Sequence, residues 1–494
     1  MNKKSLFLSG LLIMQTSLFA QESIEQKIDK ALEPIVVALS NVIFWKPFAS
    51  MGFHLPIVVM WLILGAFLFT FYFRFVHIRL FKHAIDITRG IYDKKEDKGE
   101  VSHFQALVTA LSGTLGLGNI SGVALAISLG GAGATFWMIV AGFLGMTAKF
   151  LECTLGVKYR HINKNGEVSG GPMYYLSQGL ALQNKALLGK ALALIFAIFC
   201  VGGAIGGGNM FQANQAYAQV CIVYPEFADN GFAFGAIIAI LVGIVIVGGI
   251  KKIANVTDKL VPMMCGIYMI VGLVIIFKNF GNIGLAFQKI FYGAFHGQAI
   301  IGGVAGALVI GFQRAAFSNE AGIGSAAIAH AAVKTDEPLT EGIVSILEPF
   351  IDTIVVCTLT ALIIIFTGYD VPIEGVSGAQ LTTLAFSSVF PWFKHILTIS
   401  ILLFAYATLI SWSYYGLKSW TYLFGDTKKM KLTYNLIYLC FIVIGSSASM
   451  VHVMDFSDMM ILGMSFPNIL GLYFLAPEIK KDLNLYIETL KTKN

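Results

Sequence analysis

Long hydrophobic runs alternate with short polar stretches along this 494-residue chain. A helix needs roughly 20 mainly apolar residues to cross the hydrocarbon core of a bilayer. Eleven segments have this character, so the pattern predicts an all-α polytopic membrane protein with 11 transmembrane helices. The predicted spans are 55–76, 103–130, 133–157, 188–220, 232–250, 257–278, 300–330, 340–367, 395–420, 431–450 and 456–476.

The segment before the first span has the features of an export signal. Residues 1–20 combine two early lysines with an apolar run that ends at Ala20, the order of charge and apolarity in a signal peptide. We predict cleavage after Ala20, with an uncleaved interfacial anchor as the alternative because Leu18 is large for its place before the cut. Residues 21–54 are then an external, amphipathic N-terminal segment.

The basic residues of the short loops predict the orientation. The densest basic loop follows the first span and contains Arg74, Arg79, Lys82, His83, Arg89, Lys94, Lys95 and Lys98. Loops rich in Lys and Arg stay in the cytoplasm, and alternation from this loop places the other basic loops inside as well. We therefore expect a multi-pass protein of a bacterial-type plasma (inner) membrane, with an external N-terminus and a cytoplasmic tail at 477–494.

The spans divide into one extra helix, 55–76, and two groups of five, 103–278 and 300–476, which have opposite topology. The first helix of each group is interrupted by glycines and polar residues, at Ser112–Asn119 and at Gly311–Gly322. Hydrocarbon tolerates non-helical backbone only where it lines a protein-enclosed or wet cavity. The two discontinuous helices therefore predict an inverted-repeat secondary transporter with its binding site at membrane depth. The helical loop 377–392 is expected outside, as a cap.

Composition supports the membrane class and excludes others. The chain is 56% hydrophobic and 13% charged, with a mean hydropathy of +0.75, whereas soluble domains carry roughly 25% charged residues. The net charge of +6 is spread over short loops, so no nucleic-acid surface is expected. The sequence contains no HExxH or GxSxG motif and no cysteine pair at metal-binding spacing, so we expect neither an enzyme nor an organic cofactor.

A zwitterionic substrate suits the first break. The carboxylate of such a substrate is stabilised by free N–H groups at a half-helix N-terminus, and its ammonium is stabilised by carbonyls at a half-helix C-terminus. We therefore expect substrate contacts at Thr114 and Gly116. Close helix packing is the alternative reason for the glycines.

The second break holds two costly charges, Arg314 and Glu320. A charge at mid-membrane costs roughly 2.5 to 3.5 kcal/mol on insertion scales, so we expect these two residues to pair with each other. Direct contact of Arg314 with a substrate carboxylate is the alternative. The side chains expected to face substrate here are Phe312, Phe317, Ser318 and Asn319.

Five segments carry a family resemblance: 113–120, 169–175, 317–325, 348–353 and 411–416. Their sequences GTLGLGNI, SGGPMYY, FSNEAGIGS, EPFIDT and SWSYYG resemble those of the alanine or glycine:cation symporter family. The resemblance implies sodium-coupled symport of small neutral amino acids by alternating access, on the five-plus-five fold of the neurotransmitter:sodium symporters. A proton-coupled or uncoupled permease of the same fold is the alternative. Ala315 departs from the glycine that members usually have there.

The resemblance also implies further site residues. It favours Gln212 as a substrate contact, and it implies a Na⁺ site between the hydroxyls of Thr408 and Ser411 and the backbone carbonyls of Ser112 and Leu115. Trp412 shares a helix face with Thr408 and is expected to wall the substrate's side chain. Glu348 and Asp352 are intramembrane acids, for which a coupling role and a structural role both stay open. No obligate protein partner is implied.

Overall fold

The computed structural model describes residues 37–493, apart from 52–53, 95, 297–302, 372, 374–375, 377 and 449. The predicted signal peptide and the first part of the predicted external segment lie outside the described residues. Residues 37–43 are helical, and a short 3₁₀ turn follows at Ala49–Met51.

The first half of the chain consists of helices and one small hairpin. Its helices are α1 (Ile57–Tyr72), α2 (Val76–Arg79), α3 (Phe81–Thr88), α4 (His103–Thr114), α5 (Gly118–Gly130), α6 (Gly133–Lys158), α7 (Pro172–Leu182), α8 (Ala186–Val223), α9 (Gly231–Ile246), α10 (Gly249–Lys278) and α11 (Ile283–Phe295). Between α6 and α7, β1 (His161–Ile162) pairs antiparallel with β2 (Val168–Ser169). Single 3₁₀ turns lie at Pro225–Phe227 and Phe280–Asn282.

The second half consists mainly of helices in its described part. Its helices are α12 (Gly303–Asn319), α13 (Ala326–His330), α14 (Pro338–Phe366), α15 (Ala379–Val389), α16 (Phe393–Phe424), α17 (Lys428–Ser447), α18 (Met450–Gly463) and α19 (Ser465–Lys493). Helices α5, α8 and α14 contain π-helical stretches, at Gly118–Gly122, Gly206–Met210 and Phe350–Cys357. Such wide turns are frequent at functional sites.

The structure confirms an all-α polytopic membrane protein. Among the described residues, seven helices are long and apolar enough to cross a membrane, and the bent pair α4–α5 makes an eighth. This number is below the predicted eleven. The three other predicted spans contain shorter helices: α1 and α9 have 16 residues each and α12 has 17, and the last two turns of α12 are also rich in polar side chains.

The first predicted break is present, and the second is shorter than predicted, because α12 stays helical from Gly303 through Asn319 and the chain leaves the helix only at Glu320. Helix α4 starts with Ser102 and Gln105 in a reciprocal capping box and ends at Thr114, and the chain resumes as α5 at an angle of 52°. Helix α12 ends at Asn319, where Glu320 takes a left-handed φ of 57°. Gly322 and Gly324 are also left-handed, a conformation that glycine adopts without steric cost, so helix resumes only at α13.

Two segments outside the breaks complete the frame. Helix α15 forms within the predicted cap 377–392 and packs over the first break, where Thr382 donates to the carbonyl of Ile120 at 3.4 Å. Pro172 starts α7, as its missing N–H suits a first turn. Tyr175 of the same helix is buried and donates to Asn468, because α7 packs inward against α19.

Candidate functional site

The two helix breaks touch each other. A side-chain carbon placed on Gly118 would lie 3.4 Å from Cα of Ser318 and 3.5 Å from the ring of Phe317. These are ordinary van der Waals distances, so the start of α5 packs directly against the end of α12. This contact defines the candidate site, which lies where both interrupted helices meet α8 and α16.

Backbone N–H groups at the first break are satisfied by side-chain amides. The N–H of Gly116 donates to Thr114 O at 2.8 Å and to Asn119 Oδ1 at 3.1 Å. The N–H of Leu117 donates to Gln212 Oε1 at 3.0 Å. Gln212 in turn donates to the Gly207 carbonyl at 2.8 Å, so it ties the π turn of α8 to the break. Buried donors of this kind need a partner, and here acceptors from other segments supply it.

Gly116 sits in a tight place. A side-chain carbon at this position would lie 2.5 Å from Thr408 Oγ1 and 3.0 Å from Gln212 Oε1. Real carbon contacts of 2.5 Å do not occur without displacement, so only glycine fits between these groups. Thr114, the neighbouring predicted contact, is buried, and its hydroxyl donates back to its own helix, to Ala110 O and Leu111 O.

Three of the four predicted sodium ligands lie together. Thr408 Oγ1 donates to the Ser112 carbonyl at 3.0 Å, and the Ser411 and Ser112 hydroxyls are hydrogen-bonded. The Ser112 carbonyl is available because the N–H of Gly116, its ordinary helical partner, bonds elsewhere. Leu115, the fourth, is the buried C-cap of α4, where the chain leaves the helical conformation.

These oxygens fit a small hard cation. Carbonyl and hydroxyl oxygens are the ligands that such ions prefer, and all the side chains concerned are at most 1% exposed. The residues present are therefore of the right chemical kind to hold Na⁺.

Trp412 bridges the two breaks. Its indole Nε1 donates to the Gly113 carbonyl at 3.2 Å and to Glu320 Oε1 at 3.0 Å. The side chain is 1% exposed, and Gly208 of α8 packs against its ring. One side chain of α16 thus holds the end of α4 and the turn after α12 in register.

The residues of the second break divide between two faces. Phe317 packs on Phe211 with ring centroids 5.3 Å apart, and the Ser318 hydroxyl donates to Asp352 Oδ2 at 2.9 Å. Phe312 instead packs near Trp137, and Asn319 donates to Thr353 at 2.8 Å. The structure therefore does not bring Phe312 and Asn319 to the first break, because successive helical residues are rotated by roughly 100°.

Arg314 does not pair with Glu320, contrary to our expectation. It forms a buried ion pair with Asp458 of α18, which also accepts from Gln313 at 3.0 Å. Glu320 accepts from Ser325 and Trp412. Glu320 lies past the end of α12, where its left-handed φ of 57° turns the chain out of the helix, so the two charges do not share a helix face. Sequence reasoning missed Asp458, although an acid within the predicted span 456–476 was a signal in itself.

Asp352 is held only by neutral groups among its described hydrogen bonds. The carboxylate is fully buried and accepts from Asn119 at 2.5 Å, Ser318 at 2.9 Å and Thr353 at 2.7 Å. It thereby connects α5, α12 and α14 directly beside the contact between the two breaks.

Glu348 belongs to a separate, fully buried charge cluster. It pairs with Lys149 of α6 at 2.9 Å and lies 3.4 Å from His330. His330 contacts Glu341 at 2.5 Å, and Glu341 also bonds His103, the first residue of α4. Lys149 was missed from the sequence, although a lysine inside the predicted span 133–157 is as costly as Arg314.

Comparison with known proteins adds three likenesses. The model of the sodium:alanine symporter family matches residues 40–494. Sodium/alanine symporter AgcS of Methanococcus maripaludis is 40% identical over 436 residues, 87% of this chain and 94% of AgcS. The probable sodium/glutamine symporter GlnT of Bacillus subtilis is 32% identical over 459 residues, 92% and 91% of the two chains.

One solved structure shows the likeness of fold. MhsT in complex with L-phenylalanine aligns with a TM-score of 0.52 over 78% of this chain and 99% of MhsT, at 16% identity. The arrangement of helices is therefore shared with MhsT, although few residues are.

Proposed function

The chain belongs to the sodium:alanine symporter family, and we propose that it carries alanine and glycine into the cell together with Na⁺. Family membership makes it a membrane transporter and not an enzyme. The observation that carries the proposal is the meeting of both helix breaks with α16, through the 3.0 Å bond from Thr408 to Ser112 and the two bonds of Trp412.

Sodium is assigned to the end of α4. The proposed ligands are the Thr408 and Ser411 hydroxyls and the backbone carbonyls of Ser112 and Leu115. The proximity of Ser112, Thr408 and Ser411 supports this assignment. The unpaired carbonyls at the C-terminus of a helix carry partial negative charge, which favours a cation at this point. A bound Na⁺ would supply positive charge next to the amino-acid site.

The amino acid is assigned to the space beside Gly116. Its carboxylate would accept from the N–H groups of Gly116 and Leu117, which donate in the structure to the side-chain amides of Asn119 and Gln212. The Gln212 side chain would move aside and become a further contact to the substrate. Phe317, Ser318 and Trp412 would border its side chain. The crowding around Gly116 by Thr408 and Gln212 supports a small substrate, because a long side chain has no room there.

Eleven spans, with inverted repeats at 103–278 and 300–476, provide the proposed framework for alternating access. With an external N-terminus and a cytoplasmic C-terminus in the plasma membrane, α12 enters from the external side, so Arg314, which precedes the turn at Glu320, lies on the external side of the second break. The Arg314–Asp458 ion pair would then close the outer side of the site. The cluster of Lys149, Glu348 and His330 would close the cytoplasmic side.

Transport into proteoliposomes tests this function. Radiolabelled alanine should accumulate when an inward sodium gradient is imposed, and accumulation should cease when sodium is equal on both sides or replaced by potassium. Glycine should compete with the label. Failure of a sodium gradient to concentrate either amino acid would remove the proposal of sodium coupling.

Proton coupling is a second candidate, favoured by one observation. Asp352 is fully buried and its described hydrogen-bond partners are neutral. A buried carboxylate without a cation nearby is costly unless it takes up a proton or a metal ion. An inward proton gradient without sodium distinguishes the two: accumulation of alanine under this condition would identify protons as the coupling ion.

A further inference from the structure

A groove runs along the outer surface between α1 and α19, away from the transport site. Its volume is about 540 Å³. The residues that line it are Leu68, Phe69, Phe71, Tyr72, Arg74, Tyr473, Ala476, Pro477 and Lys480. Apolar side chains occupy most of its length, and two cations stand at one end.

The apolar part of the groove is open to the surface of the protein. The side chains of Leu68 and Phe71 are 48% and 60% exposed, whereas Phe69 is buried against the protein. Helix α1 packs its other face on α6, α12 and α19. An exposed apolar groove at this depth is suited to a hydrocarbon chain, since lipid tails are as apolar as its walls.

The cationic end is built by an unusual turn. Arg74 and Phe75 follow α1 with φ values of 52° and 55°, both left-handed. Consecutive left-handed conformations are uncommon for residues other than glycine, and such strain concentrates at functional positions. The turn keeps Arg74 at the mouth of the groove.

Lys480 supplies the second cation. Its ammonium lies 3.8 Å from the ring centroid of Tyr72 at the end of α1. Neither Arg74 nor Lys480 forms an ion pair within the part of the chain that the structure describes. Two uncompensated cations at the end of an apolar groove favour an anionic partner.

A third group points to the same occupant. The Tyr473 hydroxyl is buried and has no hydrogen-bond partner among the described residues. A buried hydroxyl without a partner loses the free energy of its bonds to water. An ester or phosphate oxygen in the groove would satisfy it.

We propose that this groove binds one anionic phospholipid. An acyl chain lies along Leu68 and Phe71, the phosphate contacts Arg74 and Lys480, and the Tyr473 hydroxyl donates to an oxygen of the lipid. The C-terminal end of α1 is at the cytoplasmic face in the predicted topology, where basic pockets between helices bind anionic head groups. The lipid would bridge α1, which lies outside both repeats, to α19.

Native mass spectrometry of the full-length protein in neutral detergent tests the proposal. Titration with phosphatidylglycerol should give one tightly bound lipid, and phosphatidylcholine should bind more weakly. Arg74→Gln combined with Lys480→Gln should weaken phosphatidylglycerol binding about 30-fold, since each cation near a membrane surface contributes about a factor of five. Lys164→Gln with Lys190→Gln removes the same charge from exposed positions elsewhere and should leave binding unchanged.

Two further measurements keep the proposal testable. If the double variant does not elute as a single species, Lys480→Gln alone should weaken binding about fivefold. Glycerol phosphate should not displace the lipid, because it lacks the chain that fills the apolar part of the groove. Equal binding of phosphatidylglycerol and phosphatidylcholine, unchanged affinity in Lys480→Gln, or displacement by glycerol phosphate would each overturn the assignment.

Discussion

The hydroxyl of Thr408 donates a 3.0 Å hydrogen bond to the backbone carbonyl of Ser112. This bond joins α16 to the last turn of α4, although the two residues are 296 positions apart. The carbonyl is free to accept because the helix ends there. Both oxygens are proposed sodium ligands. Removing the Thr408 hydroxyl therefore tests ion binding separately from substrate binding.

Thr408→Val keeps the shape of the side chain and removes one ligand oxygen. We expect the sodium concentration for half-maximal alanine uptake to rise by roughly tenfold, the size of one lost charge-assisted contact, while the ranking of competing amino acids stays the same. Sodium titrations of uptake in proteoliposomes measure this. Thr421→Val is the matched control, because among the described residues its hydroxyl bonds only to Lys418 O of its own helix. An unaltered titration for Thr408→Val would place the ion elsewhere.

Gly116→Ala tests the close approach at the first break. The added carbon would meet Thr408 Oγ1 at 2.5 Å and Gln212 at 3.0 Å, so uptake should fall by at least roughly tenfold while the protein still inserts, since overpacking costs about 1–3 kcal/mol. Surface expression and initial uptake rates are measured together. Gly266→Ala, in α10, meets no atom within 4 Å and should transport normally. Normal uptake by Gly116→Ala would contradict this close packing.

Trp412→Phe removes the indole N–H that serves both breaks. The Gly113 carbonyl and the Glu320 carboxylate lose a buried donor, which costs about 1–3 kcal/mol. We expect a lower maximal uptake rate and a lower melting temperature. Trp420→Phe is a control in the same helix, because the buried indole Nε1 of Trp420 has no hydrogen-bond partner among the described residues. Equal uptake rates and equal melting temperatures in the two variants would show that the two hydrogen bonds of Trp412 contribute neither to transport nor to stability.

The Lys149–Glu348 pair makes a prediction about stability. Removing one member, as in Lys149→Met or Glu348→Gln, leaves a buried charge or donor unpaired and should destabilise by about 3–5 kcal/mol. The double variant removes both charges and should recover much of the loss. Melting temperatures in detergent are measured for the native protein, the two single variants and the double variant, which together form a double-mutant cycle. Additive losses in the double variant would show that the 2.9 Å contact contributes no coupling.

The helix breaks were predictable because their physical cause is local. Glycines and polar residues in an apolar run have few interpretations at membrane depth, and the breaks after Thr114 and Asn319 follow from them. The start of α7 at Pro172 is local in the same way.

Pairings between helices were not predictable by this route. Arg314 is 144 residues from Asp458 and Lys149 is 199 residues from Glu348, so tertiary packing alone selects the partners. The same limit applies to Phe312 and Asn319. Their helix was predicted, but the face that each presents depends on the rotation of α12 against its neighbours.

Sodium flux driven by an alanine gradient tests the central claim most directly, namely that ion and amino acid bind together where the two breaks meet α16. Proteoliposomes with equal sodium on both sides and no membrane potential receive external alanine, and entry of ²²Na⁺ is recorded. We predict that alanine accelerates sodium entry in the native protein and that Thr408→Val lowers this flux at low sodium. Alanine entry without any accompanying sodium would contradict the account.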